Sequence, residues 1–146
     1  MQKKTLIAAL LFAFASMPVL ACKPTLVADA FFANGAVALD EKSRAMVIAL
    51  VEKAIPHPVE NAVLMGFADI SEGDPKSIKR IATARADYVK SLMVKAGFPA
   101  SRVFVESRQL IGPYYGSPDA AKNRRVELDI LYFPPGACGG PLREFP

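Results

Sequence analysis

Residues 75–96 read PKSIKRIATARADYVKSLMVKA, and their apolar side chains recur at the spacing of an α-helix. On a helix that turns by about 100° per residue, they gather on one face. These residues are Ile78, Ile81, Ala82, Val89, Leu92, Met93 and Ala96. Arg85 lies near the middle of that face. An uncompensated buried ion costs several kcal/mol, so we expect a carboxylate, from the protein or from a ligand, opposite Arg85. The nearest candidate in the sequence is Asp69.

The segments around this helix predict its limits and its neighbours. Asp74 is suited to capping its first turn, and Gly97 to ending it. An apolar run over residues 61–67 has no alternation, which is typical of a strand covered on both faces. Residues 102–107 predict the next strand.

Residues 26–32 predict a first strand, and residues 41–55 predict a helix that Asp40 caps. Two adjacent sides of this helix carry Ala45, Ile48, Ala49 and Glu52 on one and Met46, Leu50 and Lys53 on the other. Residues 111–123, rich in Gly and Pro, predict a loop or a short helical turn. Residues 125–133 alternate apolar and polar side chains and predict the last strand. The order β-α-β-α-β-β predicts an α/β (α+β) two-layer sandwich with helices packed on a mixed sheet.

The N-terminus has the parts of a secretory signal peptide over residues 1–21. A basic start at Lys3 and Lys4 precedes an apolar run, and Val19-Leu20-Ala21 is a small-residue cleavage site. No later segment is long and apolar enough to predict a membrane span. Cleavage leaves residues 22–146 as a single domain, with its core at about residues 26–133 and a Gly/Pro-rich C-terminal tail.

The charge of the chain gives no indication of a nucleic-acid partner. The formal net charge is +4, and loss of the two lysines with the signal peptide lowers it to +2. This excess is too small to favour nucleic acid, which an exported protein seldom meets.

The chain contains only two cysteines, Cys22 and Cys138, which bracket the predicted fold. In an oxidising compartment they are suited to one disulfide that joins the two ends. Alternatively, Val19-Leu20-Ala21-Cys22 resembles a bacterial lipobox, in which Cys22 is lipidated and Cys138 stays unpaired. The lipid would be the one attachment to a membrane, and both alternatives stay open.

Known catalytic motifs are absent from the sequence. His57 is the only histidine and lies between two prolines, so a catalytic pair with serine or cysteine would depend on it alone. No Gly-x-Ser-x-Gly, phosphate-binding loop, dinucleotide fingerprint or zinc spacing occurs. The sequence therefore predicts no enzyme, no catalytic residues, no metal and no cofactor.

The sequence supports a binding site better than a catalytic one. Asp69 lies two residues beyond the predicted strand 61–67, at the edge where open α/β sheets hold ligands, and Arg85 lies in the third turn of the next helix. Such a pair suits a zwitterion, since the carboxylate accepts from an ammonium group and the guanidinium grips a carboxylate. The alternative is that Asp69 and Arg85 bond each other or neighbouring groups and hold the loop to the helix.

Three segments resemble, in order, the Gly-x-Thr-Asp, Leu-Ser-x-x-Arg-Ala and Asn-Arg-Arg-Val-Glu-Ile signatures of the OmpA-like peptidoglycan-binding domain. They are Gly66-Phe67-Ala68-Asp69, Ile81-Ala82-Thr83-Ala84-Arg85-Ala86 and Asn123-Arg124-Arg125-Val126-Glu127-Leu128. The resemblance covers about residues 26–132.

This resemblance implies a non-catalytic periplasmic module that binds peptidoglycan noncovalently through the diaminopimelate of a stem peptide. The Asp and Arg that bind the zwitterionic end of diaminopimelate in the family map onto Asp69 and Arg85. Asn123 and Arg124 line the same region. Arg125 either lines this region too or is a solvated or salt-bridged residue of the strand.

The chain departs from the family pattern near this pocket. Ala68 replaces Thr, Ile78 replaces Asn and Ala82 replaces Ser, and the usual glycines are absent around residues 107–109. Each change removes a small polar group or backbone freedom. A second hypothesis is therefore a protein-interaction module of an envelope or secretion assembly, which keeps the scaffold without wall binding. It predicts that the three replaced residues form a dry pocket.

Overall fold

The computed structural model describes residues 24–107 and 119–134. The predicted signal peptide, Cys22, Cys138, most of the predicted loop 111–123 and the tail after Pro134 lie outside these residues. The expectations about them therefore stay predictions.

The order of helices and strands follows the prediction. The elements are β1 (Thr25–Phe31), α1 (Glu41–Ala54), β2 (Val59–Gly66), α2 (Pro75–Lys95), β3 (Val103–Ser107), α3 (Ala120–Asn123) and β4 (Arg125–Tyr132). Each predicted strand and helix boundary lies within two residues of the observed one. The part of the predicted loop that the structure describes contains α3, a short helical turn.

The four strands form one mixed sheet in the order β1-β4-β2-β3. β4 is antiparallel to both of its neighbours, whereas β2 and β3 are parallel and are joined by α2. The register places Leu128 between Ala28 and Leu64 on the face that the helices cover. The predicted α+β class is confirmed.

The sheet is covered unequally on its two faces. In β2, Ala62 and Leu64 are buried in the main core, but Val63 and Met65 on the opposite face are half-buried. The strand expected to be covered on both faces is thus fully covered on one face and only partly on the other. A run of apolar residues does not distinguish a buried face from a partly exposed one.

The structure shows which side of α1 is buried, which the sequence pattern left open. The buried residues are Val47, Val51 and Ala54, whereas Ala45 and Ala49 are exposed. Since apolar residues lie nearly all around this helix, periodicity alone does not identify its inner face, and the bulky valines occupy it.

In α2 the predicted face is confirmed. Ile78, Ala82, Val89 and Met93 are buried, and Arg85 lies among them. The helix begins where Asp74 accepts hydrogen bonds from the N–H groups of Lys76 and Ser77. It ends in a Schellman motif, in which the N–H of Phe98 donates to the carbonyl of Met93 and Gly97 adopts a positive φ of 104°.

Gly66, at the end of β2, allows α2 to pack tightly against the sheet. A β-carbon at this position would overlap the backbone carbonyl of Ala82. This close approach brings the middle of α2 next to the loop that follows β2, where the candidate site lies.

Candidate functional site

Arg85 is fully buried, and all five N–H groups of its guanidinium donate to acceptors of the chain. Nε donates to the carbonyl of Ala36 at 2.8 Å. Nη1 donates to the carbonyl of Phe67 at 3.2 Å and to Oε2 of Glu72 at 2.8 Å. Nη2 donates to the carbonyl of Ala33 at 3.3 Å and to Oε1 of Glu72 at 2.6 Å. We call this arrangement the Arg85 cluster.

The carboxylate of Glu72 is saturated as well. Besides Arg85, it accepts from the backbone N–H of Gly35 at 2.8 Å and of Asp69 at 3.0 Å, and its side chain is only 1% exposed. Burial by itself would raise the pKa of Glu72. The hydrogen bonds from Arg85, Gly35 and Asp69, together with the charge of Arg85, outweigh burial and hold this pKa below its ordinary value.

A protein carboxylate does lie opposite Arg85, as the sequence predicts, but it belongs to Glu72 and not to Asp69. The reason lies in the 3-10 turn Ile70–Glu72, which Asp69 caps. In this capping box, Glu72 folds back over the N–H of Asp69 and reaches Arg85. The Asp-x-x-Glu spacing of a capping box was the signal in the sequence that could have identified Glu72.

Asp69 instead joins the loop after β2 to α3. Its Oδ1 accepts from the N–H of Ser71 at 2.9 Å and from Oγ of Ser71 at 2.6 Å. Its Oδ2 accepts from Nδ2 of Asn123 at 2.7 Å. The structure therefore brings the side chains of Asp69 and Asn123 together.

Arg124 follows Asn123 directly and is half-buried. Its Nε donates to the carbonyl of Phe32 at 3.2 Å, and the N–H of Phe32 donates to its carbonyl at 2.8 Å. Within residues 24–107 and 119–134, the two Nη atoms of Arg124 have no hydrogen-bond acceptor. Four N–H donors of this guanidinium are therefore unused by the described chain. We call Asp69, Ser71, Asn123 and Arg124 the Asp69 cluster.

The electrostatics of the Asp69 cluster keep Asp69 ionised. Burial would raise its pKa, but hydrogen bonds from Ser71 and Asn123 and the positive charge of Arg124 lower it below the ordinary value. Asp69 is 5% exposed. It is thus a charged group at the edge of the core, held by neutral donors, with the guanidinium of Arg124 near enough to influence it.

Arg125 is a salt-bridge partner and not a solvated strand residue. Its Nη2 lies 2.6 Å from Oε1 of Glu127, and its guanidinium lies over the ring of Phe67, with Cζ 4.0 Å from the ring centroid. Glu127 lies two residues further along β4, so both side chains project from the same face of the sheet.

The three residues that depart from the family pattern lie together. Ala68, Ile78 and Ala82 are buried and form a small second hydrophobic cluster, against which Ile81 packs. Apolar contacts thus fill the space between the loop after β2 and the first half of α2.

In residues 24–107 and 119–134, no group of three or more His, Cys, Asp or Glu side chains could hold a metal ion. Among the helices of the same residues, none has both the length and the hydropathy of a membrane span.

Solved structures with this architecture identify the fold. The OmpA-like domain of FopA1 from Francisella tularensis superposes with a TM-score of 0.61 over 75% of this chain and 77% of that chain, at 17% sequence identity. The described chain has an OmpA-like fold.

Two other structures have the same OmpA-like fold. The periplasmic domain of Helicobacter pylori MotB matches with a TM-score of 0.61 at 18% identity, over 77% of this chain and 78% of that chain. The peptidoglycan-associated lipoprotein from Burkholderia pseudomallei matches with a TM-score of 0.53 at 15% identity, over 72% and 89%. No protein-family model and no curated protein matches the sequence.

Proposed function

We propose that this chain is a non-catalytic protein of the bacterial periplasm that binds peptidoglycan noncovalently. The observation that carries the proposal is the Asp69 cluster, in which an ionised carboxylate and an unsaturated guanidinium meet at one end of an OmpA-like fold. The structural similarity to a periplasmic MotB domain and to a peptidoglycan-associated lipoprotein supports the location and the partner.

The ligand within peptidoglycan is the diaminopimelate of stem peptides, whose side chain ends in an ammonium and a carboxylate group. A carboxylate has about four lone-pair sites, and hydrogen bonds from Ser71 and Asn123 occupy three of those of Asp69. The remaining site on Oδ2 is suited to the ammonium group. Because the pKa of Asp69 is lowered, the carboxylate carries its charge at neutral pH.

The predicted site residues have different parts in this proposal. Asp69 contacts the ligand, Asn123 orients Asp69, and Arg124 supplies positive charge beside it. Arg85 holds the carbonyl of Phe67 and, through Glu72, the N–H of Asp69, so it supports the loop that carries Asp69.

Co-sedimentation with purified sacculi that contain diaminopimelate tests the proposal. The wild-type protein should sediment with sacculi, and Asp69→Ala should stay in the supernatant. Asp87→Ala is the matched control, since it removes an exposed carboxylate from the outer face of α2. Circular dichroism must show that each variant is folded. Absence of wild-type binding, or equal retention of Asp69→Ala, would refute the proposed site.

Arg85→Ala is unsuited to this test. It would leave the carboxylate of Glu72 buried without its cation, and such a change strongly destabilises a fold. Loss of binding by Arg85→Ala would therefore not distinguish a missing ligand contact from unfolding.

One observation favours a second candidate, a protein-interaction module of an envelope or secretion assembly. Ala68, Ile78 and Ala82 form a dry cluster, as that hypothesis predicts. It also predicts that the wild-type protein does not sediment with sacculi, so the same experiment separates the two functions.

Cys22 determines whether the chain is attached to a membrane. Cys22 either forms a disulfide with Cys138 or carries a lipid that holds the protein at the outer membrane. Intact mass identifies the lipid, and a change of gel mobility on reduction identifies the disulfide.

A further inference from the structure

We propose that Arg124, and not Arg85, binds the carboxylate group of the zwitterionic ligand. This inference rests on the proposed function, since it assigns the second half of the same site. It changes the role of the arginine in α2 from a ligand contact to a support of the loop.

Arg85 has no donor left for a ligand. Its side chain is fully buried, and its five N–H groups already donate to Glu72 and to three backbone carbonyls. Its Cζ lies 5.2 Å from the ring centroid of Phe32, which packs against the guanidinium. To bind a ligand carboxylate, Arg85 would have to release Glu72 and leave that carboxylate buried without its cation.

The pairing of charges in each cluster leads to the same assignment. Arg85 and Glu72 form an ion pair at 2.6 Å and neutralise each other. Among residues 24–107 and 119–134, neither Asp69 nor Arg124 forms a direct ion pair. A zwitterion placed between them would give the carboxylate of Asp69 a cation and the guanidinium of Arg124 an anion.

Arg124 is held in a suitable position for this role. Two backbone-anchored hydrogen bonds with Phe32 fix its main chain and its Nε. The preceding residue, Asn123, bonds directly to Oδ2 of Asp69. The two Nη atoms, which have no acceptor among the described residues, form the planar fork that matches a carboxylate bidentately.

A pair of soluble muropeptides tests this assignment. One contains diaminopimelate, and the other contains lysine, whose side chain has the ammonium group but lacks the second carboxylate. A hydrogen bond to a charged group is worth enough that the wild type should bind the diaminopimelate form about 10- to 100-fold more tightly. Isothermal titration calorimetry measures both dissociation constants.

The variants give distinct expected results. Arg124→Ala should lose the preference for diaminopimelate and bind both muropeptides about equally. Arg124→Lys should keep part of the preference, because it retains the charge but loses the fork. Asp69→Ala should weaken binding of both muropeptides, since both carry the ammonium group. Arg80→Ala removes an exposed arginine from α2 and should behave as the wild type.

The outcomes separate this inference from the proposed function. If the wild type binds neither sacculi nor muropeptides, the proposed function itself is wrong. If it binds sacculi, but Arg124→Ala keeps the full preference for diaminopimelate, wall binding stands and the assignment to Arg124 is overturned. Equal affinity of the wild type for both muropeptides would also overturn it, because the carboxylate would then go unrecognised.

Discussion

The Arg85 cluster and the Asp69 cluster share the loop that follows β2, but they use their polar groups differently. In the Arg85 cluster every guanidinium N–H has an acceptor, and the carboxylate of Glu72 accepts four hydrogen bonds. In the Asp69 cluster the guanidinium of Arg124 uses one N–H within the described residues. The Arg85 cluster satisfies all its own donors, whereas the Asp69 cluster leaves four N–H donors of Arg124 without an acceptor among the described residues.

Burial explains this difference. The side chains of Arg85 and Glu72 are 0% and 1% exposed, so an unpaired donor or acceptor there would have no water to bond. Arg124 is half-buried, so water can satisfy its remaining donors. We therefore expect changes in the Arg85 cluster to affect stability, and changes in the Asp69 cluster to affect binding.

The largest expected effect is that of Glu72→Gln. It would leave the guanidinium of Arg85 buried without an anion, and removing one partner of a buried ion pair costs about 3–5 kcal/mol. Urea unfolding followed by circular dichroism measures the change in the free energy of unfolding.

Glu52→Gln is the control for this substitution, since Glu52 is exposed on α1 and its replacement should change stability by less than about 0.5 kcal/mol. A loss below about 1 kcal/mol for Glu72→Gln would contradict the view that the buried pair holds the loop to α2.

Acidification should reproduce part of that effect in the wild type. The pKa values of Glu72 and Asp69 lie below their ordinary values of 4.5 and 3.8. In this range the folded chain binds fewer protons than the unfolded chain, so stability falls as the pH falls. It should be constant near neutral pH, begin to decrease as the pH approaches 4.5, and decrease further as the pH passes through the folded-state pKa values.

Glu72→Gln isolates the contribution of Glu72 to this pH dependence. Other lowered carboxyl groups, including Asp40 and Asp74, remain in the variant. Its stability should therefore fall less steeply on acidification than that of the wild type. Parallel curves would mean that Glu72 titrates alike in the folded and unfolded states.

The parts of the fold that local chemistry determines were predictable from the sequence. Asp74 before Pro75 and Gly97 before Pro99 mark the two ends of α2, and the structure has both. The inner face of α1 was not predictable by periodicity, because apolar residues lie nearly all around this helix.

The candidate site, too, was predictable from the sequence only in part. Burial of Arg85 follows from helical spacing, and its need for an anion follows from the cost of a buried charge. The choice between Asp69 and Glu72 depends on a turn of three residues. Which N–H donors of Arg124 have an acceptor among the described residues depends on the distant segments that the fold brings near it. No local sequence pattern contains that information.

Asp69→Ala should have an intermediate effect on stability. The substitution removes the cap of the 3-10 turn and the acceptor of Asn123, and loss of a cap costs about 0.5–2 kcal/mol. Asp40→Ala, which removes the cap of α1, provides a control of the same kind. A loss as large as that of Glu72→Gln would place Asp69 within the structural core and weaken the distinction between the two clusters.

The smallest effect on stability is expected for Arg124→Ala. The substitution removes the hydrogen bond from Nε to the carbonyl of Phe32, and such a bond contributes about 0.5–1.5 kcal/mol. Because the remaining donors have no acceptor in the described chain, no buried partner is left unsatisfied except this carbonyl. Urea unfolding should therefore show a decrease within that range, although the same variant is expected to lose the preference for diaminopimelate. If Arg124→Ala instead destabilises the protein as much as Glu72→Gln, Arg124 supports the fold in the way Arg85 does, and the two clusters do not divide stability from binding.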